Sequence, residues 1–212
     1  VPVSAWHCQQ RNSNIKILIM KYIYLIFCVF LVSALETSCI KDFQNVTIYP
    51  YEIGDFYSEE GVMGIVFHVS DDGAHGKILS LNEFQCSWGD TLLMHTNDTL
   101  YGYNNMKIIK HTNQWEEKFP AFFWCDSKNI DGINGWYVPA KNELQEIITN
   151  RAKINETLES IGAELLFGKN YWSSTEYSQF EVYHADFITG EMSFYAVKLS
   201  VNSLYVRAVK EF

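Results

Sequence analysis

The stretch Gly135–Ile148, GWYVPAKNELQEII, joins an aromatic strand to a helix in the second half of a chain of 212 residues. Pro139 has no N–H to donate to a neighbouring strand, so it ends strand pairing and lets the next residues turn. From Leu144 onward, apolar residues recur at steps of three and four, which predicts an amphipathic helix ending near Gly162. The sequence of this strand-to-helix junction leaves two interpretations open: it is either a functional site or a part of the scaffold.

Strand patterns lie on both sides of this helix. GIVFHVS and KILSLNE flank the turn DDGAHG over residues 64–83, and alternating stretches return over residues 171–212, where the last is LYVRAVKEF. Leu204, Val206 and Ala208 are predicted to share one face of that last strand. Residues 106–115 and 120–128 predict two short helices. Strands, then helices, then strands predict an α+β domain with an antiparallel sheet.

The N-terminal part reads as a targeting segment. Lys21 is followed by fourteen uncharged residues, YIYLIFCVFLVSAL, a run too short to cross a hydrocarbon core of about 30 Å as a helix. We therefore predict the apolar region of a signal peptide that starts at Met20. It ends in LETSC, which resembles the lipobox of bacterial lipoproteins, with Cys39 as the lipidated residue; an ordinary secretory signal is the alternative. Residues 1–38 are then removed, 39–55 form a tether, and 56–212 form a single domain.

The net charge limits which partners the protein can bind, and the cysteine count limits its disulfide bonds. The formal net charge of −9 repels phosphate backbones, so we expect no nucleic-acid partner. Cys86 and Cys125 remain after processing. They either form one disulfide, closing a loop of about 40 residues, or remain buried free thiols that behave as small hydrophobes.

Four separated stretches together resemble a known family. They are residues 54–81, residues 120–147, YWSSTEY at 171–177 and YVRAVKEF at 205–212, and they are similar, in this order, to the Lcl C-terminal domain-like family. Its members are exported bacterial domains of mostly unknown function, frequently on lipoproteins. The resemblance implies a C-type-lectin-like fold, also similar to that of formylglycine-generating enzymes, with two or more helices packed on a twisted antiparallel sheet.

The resemblance also implies that the junction is scaffold. Glu143, three residues after Ala140, is expected to accept from the helix start as in a capping box. Alanine cannot supply the other half of that box, which should weaken the helix end by about 1 kcal/mol. A core position for Trp172 and a hydrogen-bond network at a strand edge for Arg207 are expected as well. The scaffold residues are Gly135, Trp136, Pro139, Glu143, Trp172 and Arg207.

No catalytic constellation is visible in the sequence. The triplets EPN, QPD and WND of calcium-dependent lectin sites are missing, so no metal is expected. No cysteine follows Cys125, which argues against an oxidase of the formylglycine-generating kind, and a GxSxG elbow is missing too. We therefore expect no enzyme and no cofactor.

Two functional classes remain. The first is a recognition or adhesion domain for a glycan or protein ligand, lipid-anchored through Cys39 to the outer membrane in the cell envelope. The second is a structural or accessory subunit of a surface or fimbria-like assembly. Tyrosines offer stacking area with a polar tip, and the candidate contact residues are Glu176, Tyr177, Tyr183, His184, Tyr101 and Tyr103.

Overall fold

The computed structural model describes residues 50–200 and 204–212. The predicted signal peptide, Cys39 and most of the tether lie outside this part. The helices and strands are, in chain order, β1 (Phe56–Glu59), β2 (Val62–Val69), β3 (Gly76–Leu79), β4 (Phe84–Gln85), α1 (Gly102–Lys110), α2 (Trp115–Lys118), α3 (Pro120–Asp126), α4 (Lys141–Ser160), β5 (Asn170–Glu176), β6 (Glu181–Asp186), β7 (Glu191–Val197), β8 (Leu204–Val206) and β9 (Val209–Glu211).

The strands form two sheets rather than the single sheet predicted. One has the order β1-β2-β3-β9 and is antiparallel throughout, and the other has the order β4-β8-β5-β6-β7. In the second sheet β5 and β8 pair in parallel, while the other pairs are antiparallel. A single bridge between Tyr137 and Val209 joins the junction motif to the end of the chain. The fold is α+β, as predicted from the sequence.

The last predicted strand is divided between the two sheets. β8 belongs to the five-stranded sheet and β9 to the four-stranded sheet, so residues 207–208 cross from one to the other. The predicted alternation fails there, because the side chains of residues 206–209 are all buried. A chain that passes between two sheets has protein on both of its faces, which a period of two cannot reveal.

Arg207 holds this crossing in place. Its Nε donates to the carbonyl oxygen of Ser80 at 2.7 Å, and its two terminal nitrogens donate to the carbonyls of Leu81 at 2.9 Å and Glu164 at 2.7 Å. The side chain is buried. The network expected at Arg207 therefore joins three segments of the core.

Helix α4 covers the sheets as one continuous helix. The buried apolar positions follow the predicted period and are Leu144, Ile147, Ile148, Ile154 and Leu158. Ile161, expected on the same face, is 41% exposed because the helix ends at Ser160. Gly162 follows with φ of +68°, a value typical of the glycine that terminates a helix.

Local turn signals are reproduced, but some boundaries differ. Strands β2 and β3 flank the predicted turn, where Gly73 has φ of +68°. Helix α1 begins four residues before the predicted 106, and β4 is an addition. Residues 50–55, assigned to the tether, pack on the domain, since Tyr51 N–H donates to the carbonyl of Gly73 at 2.9 Å. In the described ranges, no helix has the length and apolarity needed to cross a membrane.

Candidate functional site

The junction is organised around the buried carboxylate of Glu143. Its Oε2 accepts from the backbone N–H of Ala140 at 2.8 Å and from that of Gly102 at 3.0 Å. Its Oε1 accepts from Lys77 Nζ at 2.6 Å and from the Tyr137 hydroxyl at 2.7 Å. One carboxylate therefore accepts a backbone N–H at the start of α4 and another at the start of α1, and it pairs with Lys77 on β3.

Burial and the nearby Glu143 raise the pKa of Tyr137, so its hydroxyl remains a donor at neutral pH. Gly102 is required by space, because a Cβ there would lie 2.1 Å from the carbonyl oxygen of Val138. Every polar atom of the Glu143 carboxylate is used within the protein. This geometry is that of a scaffold, because each oxygen of the carboxylate already accepts from two donors of the protein.

Trp172 lies in the core, as the resemblance implies. Its side chain is buried, and its Nε1 donates to the carbonyl oxygen of Cys86 at 2.8 Å. The indole therefore connects β5 with the segment after β4.

The six candidate contact residues do not form one site. Tyr101 and Tyr103 contact each other and the ring of Tyr137, with centroid distances of 5.5 to 5.9 Å. Tyr177 and Tyr183 form a second pair 5.6 Å apart. The Tyr101 hydroxyl donates to Glu211 Oε2 at 2.8 Å, so this residue supports the junction.

Glu176 is a structural residue rather than a contact for a ligand. Its side chain is only 4% exposed, and it accepts from Lys198 Nζ at 2.5 Å. The backbone N–H groups of Met94 and Thr96 also donate to it, at distances of 3.0 to 3.1 Å. Lys198 is buried as well and donates to the carbonyl of Leu92 at 2.8 Å. The pair ties the loop before α1 to the end of β7.

His184 is also unsuited to contact a charged ligand. Burial lowers its pKa, against a smaller opposing effect of Asp186, so the ring is neutral at pH 7. Its Nδ1 is buried and finds no hydrogen-bond partner in the part of the chain that the structure describes. The residue lies within the ladder, opposite Trp172 on β5 and Ser193 on β7.

A β-bulge gathers the aromatic residues of β6 and β7. Val182 pairs with Ala196 and His184 pairs with Ser193, so two residues of β7, Phe194 and Tyr195, lie opposite the single residue Tyr183. The Phe194 and Tyr195 ring centroids are 4.1 Å apart.

The ring of Tyr177 lies 4.6 Å from that of Phe194. We call Tyr177, Tyr183, Phe194 and Tyr195 the aromatic patch. Lys141 Nζ lies 4.4 Å from the centroid of Tyr183, and Tyr195 is 67% exposed. The patch brings together two of the six predicted residues and adds two that the sequence did not single out.

The patch extends from the end of β5 across β6 to β7, the edge strand of the sheet. This strand ends the five-stranded sheet, and within the described ranges only β6 pairs with it. The Lys198 N–H donates to the carbonyl of Phe180 at 3.0 Å, which brings Phe180 beside Val197 and Leu199. We call these three exposed residues the apolar rim. Residues 192–197 carry no charge and no proline, two devices that usually protect an edge strand.

Cys86 and Cys125 are free thiols, and the disulfide considered between them is absent from the described chain. Both are buried, and burial raises the pKa of Cys86 to about 12 and that of Cys125 well above its usual value. Because the thiolate is the reactive species, these side chains act as small hydrophobes of the core.

No protein-family model and no curated protein matches the chain. Among solved structures, the chain is similar to a fimbrial protein from Bacteroides ovatus ATCC 8483, with a TM-score of 0.60 and 18% sequence identity. The match covers 76% of this chain and 49% of that one, so this chain spans about half the length of its structural neighbour. At this identity, the likeness shows a shared fold.

Proposed function

We propose that this protein is a non-catalytic subunit, structural or accessory, of a cell-surface assembly, and that it contacts a neighbouring subunit along β7. The observation that carries the proposal is the aromatic patch and apolar rim at β7, a strand that only β6 pairs with among the described residues. Contiguous exposed apolar surface in a folded domain commonly marks a contact with another protein. Tyrosine and phenylalanine are enriched in such contacts.

The structural neighbour supports this class over the others, since it is described as a fimbrial protein. The fimbrial role is that of the neighbouring structure, and the shared fold makes a similar role of this chain plausible as a proposal. The bulge at Phe194 and Tyr195 interrupts any long ladder with a second strand, and bulges are one means by which natural edges avoid uncontrolled pairing. We therefore propose a contact made mainly by side chains.

In vivo photo-crosslinking tests the contact. A benzophenone amino acid is placed at Tyr195 in the patch or, as a control, at Lys153 on the exposed side of α4. We expect discrete products of higher mass from position 195 whose two components, identified by mass spectrometry, are surface subunits, and none from position 153. Monomer alone at position 195, in cells that display the protein, would contradict the proposal.

The cellular setting is a further part of the proposal. A lipid on Cys39 would hold the chain at the outer membrane, within the cell envelope, and the following domain would have the C-type-lectin-like topology of the Lcl C-terminal domain-like family. An alkyne fatty acid fed to cells is expected to label the wild-type chain but not Cys39→Ser. Equal labelling of both would show that Cys39 does not carry the lipid.

Recognition of a glycan by the patch is a second candidate. Half-exposed Tyr177 offers a ring for stacking, and the ammonium group of Lys141 lies beside Tyr183. A glycan array, probed with calcium and again with a chelator, tests it. Binding that survives chelation and is lost in Tyr177→Ala supports recognition, and an empty array from folded protein opposes it.

A further inference from the structure

A cavity of about 460 Å³ lies beside the junction and is lined by α1, the end of α3 with the segment after it, and residues 134–136. Its volume falls within the range of small-molecule sites. The residues that carry the argument are Tyr103, Met106, Lys107, Lys110, His111 and Trp136.

The cavity is preformed. Asn129 Oδ1 accepts from the Trp136 N–H at 2.9 Å, and its Nδ2 donates to Asp126 Oδ1 at 2.9 Å. One amide therefore fixes two of the walls relative to each other. Met106 and Trp136 are largely buried, so the apolar lining is held by packing. A site that is already ordered binds its ligand without the entropic cost of immobilising side chains or loops.

The charge of the cavity is positive in a chain whose net charge is −9. Lys107, Lys110 and His111 lie within about one turn of the C-terminal end of α1. Asp126 accepts from Lys110 Nζ at 2.8 Å and neutralises it. Lys107 Nζ lies 5.1 Å from the Tyr103 centroid, and it has no carboxylate partner in residues 50–200 and 204–212. Of the two lysines among the described lining residues, Lys107 is thus the one that makes no ion pair.

We propose that this cavity binds a small organic anion, a carboxylate attached to a flat apolar body. Lys107 would contact the carboxylate through a charge-assisted hydrogen bond, and Tyr103 and Trp136 would contact the apolar body. None of the residues that line the cavity belongs to the aromatic patch or the apolar rim, so the test of this site is independent of the test of the β7 contact.

Equilibrium dialysis of the full chain against radiolabelled phenylacetate tests the site. The neutral analogue phenylacetamide has the same shape and lacks the charge. We expect retention of phenylacetate and little retention of the amide. Absence of phenylacetate retention at millimolar concentration, or equal retention of the amide, would overturn the proposal.

Variants of the exposed residue Lys107 test whether phenylacetate binds in this cavity. Lys107→Gln is expected to weaken phenylacetate binding at least about tenfold, and Lys107→Arg to hold it within about threefold of wild type, since the charge is kept. Lys153→Gln on α4 removes the same charge far along the chain and should change nothing. Equal affinity of Lys107→Gln and wild type would place the anion elsewhere and refute the assignment.

Discussion

Replacing Glu143 by glutamine should destabilise the protein far more than a change of one side-chain atom suggests. The carboxylate accepts from four donors, two on each oxygen, and its side chain is 3% exposed. A glutamine keeps one acceptor oxygen and presents an NH₂ group to the other pair of donors. Either orientation of the amide therefore leaves at least one buried donor without an acceptor.

The magnitude follows from the donors that lose their acceptor. Each unsatisfied buried donor costs about 1–3 kcal/mol, and hydrogen bonds to a charged group lie at the upper end. Tyr137 can rotate its hydroxyl to accept from the amide, and Lys77 retains some solvent contact, which limits the loss. We expect a decrease of about 2–4 kcal/mol in the free energy of unfolding, a large share of the roughly 5–15 kcal/mol typical of a domain.

Urea unfolding followed by tryptophan fluorescence measures this loss. Glu146→Gln is the matched control, because Glu146 lies one turn further along α4 and pairs with His68 at the surface, where such pairs contribute about 0–1 kcal/mol. If both variants unfold at the same urea concentration, Glu143 is not the residue that holds the junction together.

Three further predictions concern other buried polar groups. Glu176→Gln should cost about 3 kcal/mol or more in urea unfolding, because it leaves the buried ammonium of Lys198 without its partner; a fully stable variant would restore Glu176 as a ligand contact. Arg207→Lys should cost about 2–3 kcal/mol by the same assay, since one ammonium cannot reproduce the three carbonyl contacts, and an unchanged midpoint would show that the crossing is held by other means. Burial and Glu83 raise the folded-state pKa of Tyr171 above its usual 10.0, so above about pH 10 the unfolded state loses this proton first and stability falls. Tyr171→Phe should flatten the decrease in unfolding free energy between pH 9 and 11, and an identical slope in the two proteins would contradict the assignment.

Features that depend on neighbouring residues in the chain were predicted well. The turn at Gly73, the period of α4 and the acceptor role of Glu143 at the helix start are all determined within a few residues. Proline and glycine act through their own backbone geometry, so their effect appears in any sequence window. The junction motif depends on such residues, and its turn and helix start are therefore encoded locally.

Features that depend on register or on distant contacts were not predicted. Period-two alternation places Phe194 and Tyr195 on opposite faces, whereas the bulge sets both against Tyr183. The pairing of Glu176 with Lys198 joins the last residue of β5 to the residue after β7, and neither residue type signals burial by itself. The burial of Glu176, a predicted ligand contact, therefore depends on a tertiary pairing that the local sequence does not show.

The most direct measurement of the central claim is the size of the assemblies sheared from the surface of cells that carry variants at Tyr195. Tyr195→Phe keeps the ring of the aromatic patch, while Tyr195→Asp places a charge in the proposed contact. We predict that the chain with Tyr195→Phe is recovered in high-mass particles as wild type is, and that the chain with Tyr195→Asp is displayed at the surface but absent from them. Equal recovery of both variants in those particles would contradict a role of the β7 surface in assembly.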